Sequence, residues 1–194
     1  MLGRVAQRVL HSSAQPVWVL TGSEPQKPSK LLVAVDLTEA SHHLFEVAAR
    51  LALRLGAEVE AIHVIPDPHA ADHTQLLATA LPNDPAKLAK QLRDRVEAHF
   101  DGVYRKVEVA FADAAQLVPM MKKRRVVVGD PPAAIIAHAE AIGADVIVAG
   151  NHRPTTAAIG GHVGLGRVVR AIVQRAPSHV VVVPTVASSR AADD

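Results

Sequence analysis

The chain has 194 residues, about half of them apolar, no cysteine, 3% aromatics and a formal charge of +2. That length suits one well-buried domain with some extra material, and the lack of cysteine excludes disulfides and thiolate metal sites and fits a reducing, cytoplasmic setting. The small charge and few aromatics argue against a nucleic-acid partner, and no apolar run approaches the ~20 residues of a membrane span.

Met1 to Leu20 holds Arg4, Arg8, Ser12 and Ser13 and no acid, a composition shared with transit peptides. A displacement by 163 positions gives a better reading. Gly3-Arg4-Val5 then falls on Gly166-Arg167-Val168, Val9-Leu10 on Ile172-Val173, and Val17-Trp18-Val19-Leu20 on Val180-Val181-Val182-Val183. Helix-spaced and strand-spaced positions stay in phase without a gap. Residues 1–20 therefore read as the last helix and strand of a preceding copy of the domain.

Residues 21–29 have the Pro, Gly and Ser content of a linker. Leu31 to Val35 is an apolar run without alternation, the mark of a strand covered on both faces, and it closes on Asp36. Thr38 is placed to cap a helix with Leu44, Val47, Ala48, Leu51 and Leu55 inward and Gly56 as its stop. A second strand, Val59 to Ile65, ends at Pro66, and residues 66–83 read as a loop. Asp84-Pro85 opens a helix that runs to about Phe100. Val107 to Val109 is a short strand candidate, Phe111 to Arg125 an interruption, and Val126 to Val128 another strand candidate. Gly129-Asp130-Pro131 starts a helix with Ile135, Ile136, Ala139 and Ile142 inward, stopped by Gly143. The strand Asp145–Ala149 breaks at Gly150 into a loop rich in glycine. A helix with Val168, Val169, Ile172 and Val173 inward follows, then Pro177 and a last strand, His179–Val183. The tail, residues 185–194, reads as disordered.

Alternating strands and helices predict an α/β domain over residues 30–184. It is a doubly wound parallel sheet of five strands, with an extra helix and strand at the N-terminus. Such sheets bind ligands at the carboxyl ends of their strands, where the strand order reverses, and both Asp36 and Gly150 end strands. The order strand, glycine loop, helix is also one that cradles phosphate on backbone N–H groups.

Other groups carry less. His69 and His73, beside Asp67 and Asp72, have ligand-like spacing, but the prolines at 66 and 68 oppose a helix there and no third ligand is evident, so no metal site is predicted. His152 and His162 flank the glycine loop and read as solvated. Lys122 to Arg125 is a short basic run that reads as a solvated loop, or as cover for the sheet edge or a partner. No nucleophile elbow or nucleophile–base pair is evident.

Leu-Val-Ala-Val-Asp at 32–36, His-Val-Ile at 63–65, Val-Gly-Asp-Pro at 128–131, Gly-Ala-Asp-Val-Ile-Val-Ala-Gly at 143–150 and the Gly-Arg-Val helix together resemble the universal stress protein family. The resemblance implies a sheet of the adenine-nucleotide α-hydrolase type and a non-catalytic, dimeric regulatory or scaffold module of the stress response. In members that bind ATP, the acid after the first strand and a backbone group near the end of the second contact adenosine; here these are Asp36 and Val64. The phosphates lie on a loop of pattern Gly-x-x-Gly, nine residues, then Gly-Ser or Gly-Thr. Gly150 fits, but Arg153 stands at the second glycine. Twelve residues, rather than nine, separate it from Gly166, with Arg167 at the hydroxyl position and Val168 next in the turn. Either the loop is degenerate or its arginines hold an anion by another means. Any metal would be the magnesium that accompanies a nucleotide. Family dimers pair their last strands, so Val17 and Val19 are expected to run against Val180 and Val182, making a pseudo-dimer or a homodimer. An unidentified protein is the other expected partner. The alternative function is an ATP-binding switch with slow hydrolysis, and a third reading makes the chain part of a longer tandem protein.

Overall fold

The computed structural model describes residues 3–21, 27–36, 38, 41–66, 85–110, 123–153 and 165–186. In chain order these form α1 (Arg4–Ser12), β1 (Val17–Val19), β2 (Lys30–Val35), α2 (Ser41–Leu55), β3 (Glu58–Pro66), α3 (Pro85–Ala110), β4 (Lys123–Gly129), α4 (Pro131–Ile142), β5 (Val146–Arg153), α5 (Arg167–Arg175) and β6 (His179–Val186). One sheet of order β1-β6-β5-β2-β3-β4 contains all six strands. The five strands β2 to β6 pair in parallel, and β1 lies antiparallel to β6 in the register Val17↔Val182, Trp18↔Val181, Val19↔Val180.

Strand alternation divides the apolar runs between two cores. Leu31, Val33 and Val35 face α2 and α3 together with Val146, Val148, Val181 and Val183. Leu32 faces α4 and α5 together with Ile62, Ile147, Val180 and Val182, and Leu10 of α1 joins this second core. In the first core the rings of Phe45 and Phe100 meet edge to face at 6.3 Å. Covering both faces is why these strands read as unbroken apolar runs rather than as alternating ones.

The amino-terminal edge of the sheet is tied by one carboxylate. Asp145 Oδ2 accepts from the Ser29 N–H at 2.8 Å, the Ser29 hydroxyl at 3.0 Å and the Lys30 N–H at 2.9 Å. Burial alone would raise its pKa, but these three donors outweigh burial and hold the carboxyl below its usual range. Helix ends follow the local signals. Asp130 caps α4 by accepting from the Ala133 N–H, and Gly143 ends it in the left-handed region at φ 63°.

Five expectations are corrected. Val107 to Val109 belong to α3, which runs to Ala110 instead of ending near Phe100: three residues that include Glu108 and directly follow Arg105 and Lys106 extend a helix more readily than they nucleate a strand. Lys123 to Arg125 begin β4 rather than a loop, because acids wait for them: Lys123 meets Glu58 at 2.9 Å, and Arg124 meets Glu97 at 2.7 Å and Asp101 at 2.6 Å. β5 does not break at Gly150 but continues to Arg153 along β6, which itself runs on to Val186. The Thr38 hydroxyl, expected to cap α2, donates instead to Asp36. Thr185 and Val186, expected to open the disordered tail, belong to β6, where they pair with His152 and Arg153; residues 67–84, 111–122, 154–164 and 187–194, which include His69, His73, His162 and the rest of the tail, lie outside the described residues. Among the described residues no helix is long and apolar enough to cross a membrane.

Candidate functional site

Strand order reverses between β2 and β5. From β2 the chain steps outward through β3 and β4, then returns to β5 on the other side of β2 and continues to β6. The last pair joining β2 and β5 is Ala34↔Ala149, after which the two strands part. Asp36 and Gly150 stand on either side of this parting. A cleft of about 380 Å³ opens there, within the range of small-molecule sites. Asp36, Val64, Gly150, Gly166, Arg167 and Val168 all line it, so six of the seven residues expected at a nucleotide site share one cleft. The seventh, Arg153, ends β5, and its side chain, like that of His152, lies outside the described residues.

Each lip has its own chemistry. On one, Asp36 Oδ1 accepts from the Thr38 N–H at 3.1 Å, the Thr38 hydroxyl at 2.8 Å and the buried Ser41 hydroxyl at 3.2 Å, which fix the carboxylate at the mouth. On the other, α5 begins at Gly166 with no side-chain cap and no acid in its first turn. Its first N–H groups therefore keep their positive end toward the cleft, whereas the neighbouring α4 has spent its own on Asp130. Arg167 adds a guanidinium 3.5 Å from Asp130. Gly150 forms a floor without a side chain: a Cβ there would come within 3.3 Å of Thr185 Cγ2. Asn151, 2% exposed, holds the far lip by accepting from the Gly166 N–H at 3.3 Å.

Several lining residues were not singled out from the sequence. His63 bonds the Val35 carbonyl at 2.7 Å. A carbonyl only accepts, so Nδ1 carries the hydrogen and Nε2 of the neutral ring is an acceptor. Thr185 enters because β6 continues past Pro184, an extension hidden by the proline. Ser41 carries no signal beyond being a small residue at a helix start. Behind Asp36, the His42 and His99 rings stack at 6.1 Å, and Lys106 Nζ approaches His42 Nε2 at 3.0 Å. Burial pushes the His99 pKa down; Asp36 opposes this, while His63 and Lys106 reinforce it. Among the described residues no group of three or more His, Cys, Asp or Glu side chains is placed to hold a metal.

A parallel sheet wound in both directions, with its cleft at the reversal and a helix N-terminus on one lip, defines a doubly wound α/β domain of the kind that takes ligands at that edge. Residues 28–184 match the model of the universal stress protein family, and the chain belongs to that family. Solved structures agree in fold. A universal stress protein from Archaeoglobus fulgidus DSM 4304 is 23% identical with a TM-score of 0.59, matched over 95% of this chain and 56% of its own. A universal stress protein solved in complex with cAMP is 17% identical with a TM-score of 0.55, over 82% of this chain and 98% of its own. UspA from Lactobacillus plantarum is 22% identical with a TM-score of 0.53, over 82% of this chain and 99% of its own. This chain thus spans little more than half the length of the first of these. No curated protein matches it.

Proposed function

We propose that this chain is a non-catalytic regulatory module of the stress response that takes an adenine nucleotide, ATP among them, in the cleft between Asp36 and α5. The observation that carries the reading is the convergence of Asp36, Val64, Gly150, Gly166 and Arg167 on one cleft at the sheet reversal. The fixed carboxylate of Asp36 suits ribose hydroxyls, which donate to it. The uncapped turn of α5 suits a phosphate, and Arg167 supplies a planar donor pair where related loops use a hydroxyl. The related structure solved with cAMP supports the same class of ligand. β1 already gives β6 the antiparallel neighbour that a second copy's last strand would offer, which supports a pseudo-dimer over a homodimer through that edge.

Equilibrium binding of labelled ATP, with and without magnesium and with AMP and cAMP as competitors, tests the reading. Saturable binding near micromolar that is lost in Asp36→Ala is the expected result. No binding at millimolar ATP overturns it and leaves a scaffold. Release of inorganic phosphate in the same samples reads out the slow hydrolytic switch.

A further inference from the structure

The segment α1–β1 and the segment α5–β6 are in-phase copies, yet their surfaces differ in one systematic way. Leu10 and its counterpart Val173 are both buried. Val9 is 47% exposed where Ile172 is 0%, and Leu20 is 59% exposed where Val183 is 0%. Trp18 is exposed where Val181 is buried, and Val5 is 79% exposed where Val168 is half-buried. The shared burial lies where α1 meets β6 and its core. The mismatches lie where α5 and β6 meet the rest of their own domain.

What covers those positions around α5–β6 is known. Ile172 packs in a core with Ile147 and Ala149 of β5, while Val181 and Val183 pack with Val148 of β5 and Leu44 and Phe45 of α2. Beside α1–β1 neither counterpart is present among the described residues, and β1 stands at the end of the sheet order with one edge unpaired. Exposed Val5 and Val9 on the helix and Trp18 and Leu20 at the strand, on the two sides of a free strand edge, make a surface built for burial.

We infer that the open face of α1 and β1 is a docking surface for the body of a second domain of this fold, one whose penultimate strand runs parallel to β1. In that body a helix equivalent to α2 covers Trp18 and Leu20. The strand equivalent to β5 fills the edge and covers Val9. Its own last helix and strand must be absent, since α1–β1 takes their place. A second copy of this chain does not meet that requirement, because its β5 is paired on both sides by β2 and β6. The Archaeoglobus fulgidus structure matches 95% of this chain against 82% for the two short ones, and over two-fifths of its length lies outside the match, room for such a body.

A photo-crosslinking residue at Val9, with the same residue at the exposed Val128 on the opposite edge as a control, tests the surface in the full chain in its source cell. The expected adduct at position 9, and not at 128, joins a universal-stress-type segment at its penultimate strand, either on the same polypeptide or on another. An adduct to any other protein, an adduct between two α1 helices, or no adduct overturns the inference. The double variant V5D/V9D is the second arm. It is expected to keep the urea midpoint of the parent, because both positions are exposed, and to lower the adduct yield from a crosslinker moved to Leu20 at least tenfold. A midpoint falling as far as that of Leu10→Asp would show that the patch is packed within the chain itself and would overturn the docking surface.

Discussion

Asp145 offers the sharpest test of how the sheet is assembled. It sits where β2, β5 and β6 begin. Its side chain takes three donors from residues 29 and 30, while its own N–H donates to the Lys30 carbonyl and its carbonyl accepts from the His179 N–H. Asp145→Ala removes only the side-chain part. Hydrogen bonds to a charged acceptor contribute roughly 1.5–3 kcal/mol each, but three that share one oxygen do not add, so about 3 kcal/mol is expected in total. With a urea slope of about 2 kcal/mol/M, the midpoint falls by about 1.5 M. Asp145→Asn keeps an acceptor but not the charge, and is expected to lose about half as much. The pH dependence gives the sign. Because the folded carboxyl titrates below its ordinary 3.8, its contribution is fully present above that value and is lost as pH falls through the lower folded value. The gap between wild type and Asp145→Ala is therefore flat from pH 7 to about pH 5 and closes only at more acid pH. Equal midpoints at pH 7, or a gap that does not narrow in acid, would refute the reasoning.

The remaining predictions concern the cleft. Asp130→Asn keeps the α4 cap but removes the charge facing Arg167, so nucleotide affinity by titration is expected to rise about two- to fivefold with little change in stability. Gly150→Val drives methyls into Thr185, and should cost about 1–3 kcal/mol in urea melts and abolish saturable binding. Asn151→Leu releases the Gly166 N–H, with an expected loss of about 1 kcal/mol and weaker binding in the same titration. His99 has a pKa lowered from 6.5, so its share of stability is present above that pH and lost as pH falls. His99→Phe should therefore show a smaller drop in melting temperature between pH 7.5 and 5.5 than wild type, and equal drops would contradict the assignment.

Much of this arrangement was legible because it rests on local rules. The unbroken runs at 31–35 and 146–149 announced strands covered on both faces, and Asp130-Pro131 with Gly143 marked both ends of α4. Asp36 and Gly150 followed from the parallel topology, which sends the ends of β2 and β5 to one edge. What escaped depends on tertiary partners. β4 starts at Lys123 because Glu58, Glu97 and Asp101 wait across from its basic residues, and these come from distant parts of the chain. β5 passes through Gly150 because β6 continues alongside it, although glycine next to a polar loop locally signals a break. His63 and Thr185 reach the cleft through strand register, which no single window of sequence contains.

The uneven support of β5 has a mechanical consequence. Up to Ala149 the strand is clamped between two neighbours, but from Gly150 to Arg153 only β6 holds it among the strands. β6 is in turn gripped on its other side by β1. The floor of the cleft and the outermost strand are thus the two ends of a three-strand lever, with β6 as its bar. A force that tilts β1 acts on β6 at Val180–Val182 and on the second core through Val17 and Val19, and it reaches Gly150 along β6, whose next residue, Val183, is the partner of Gly150.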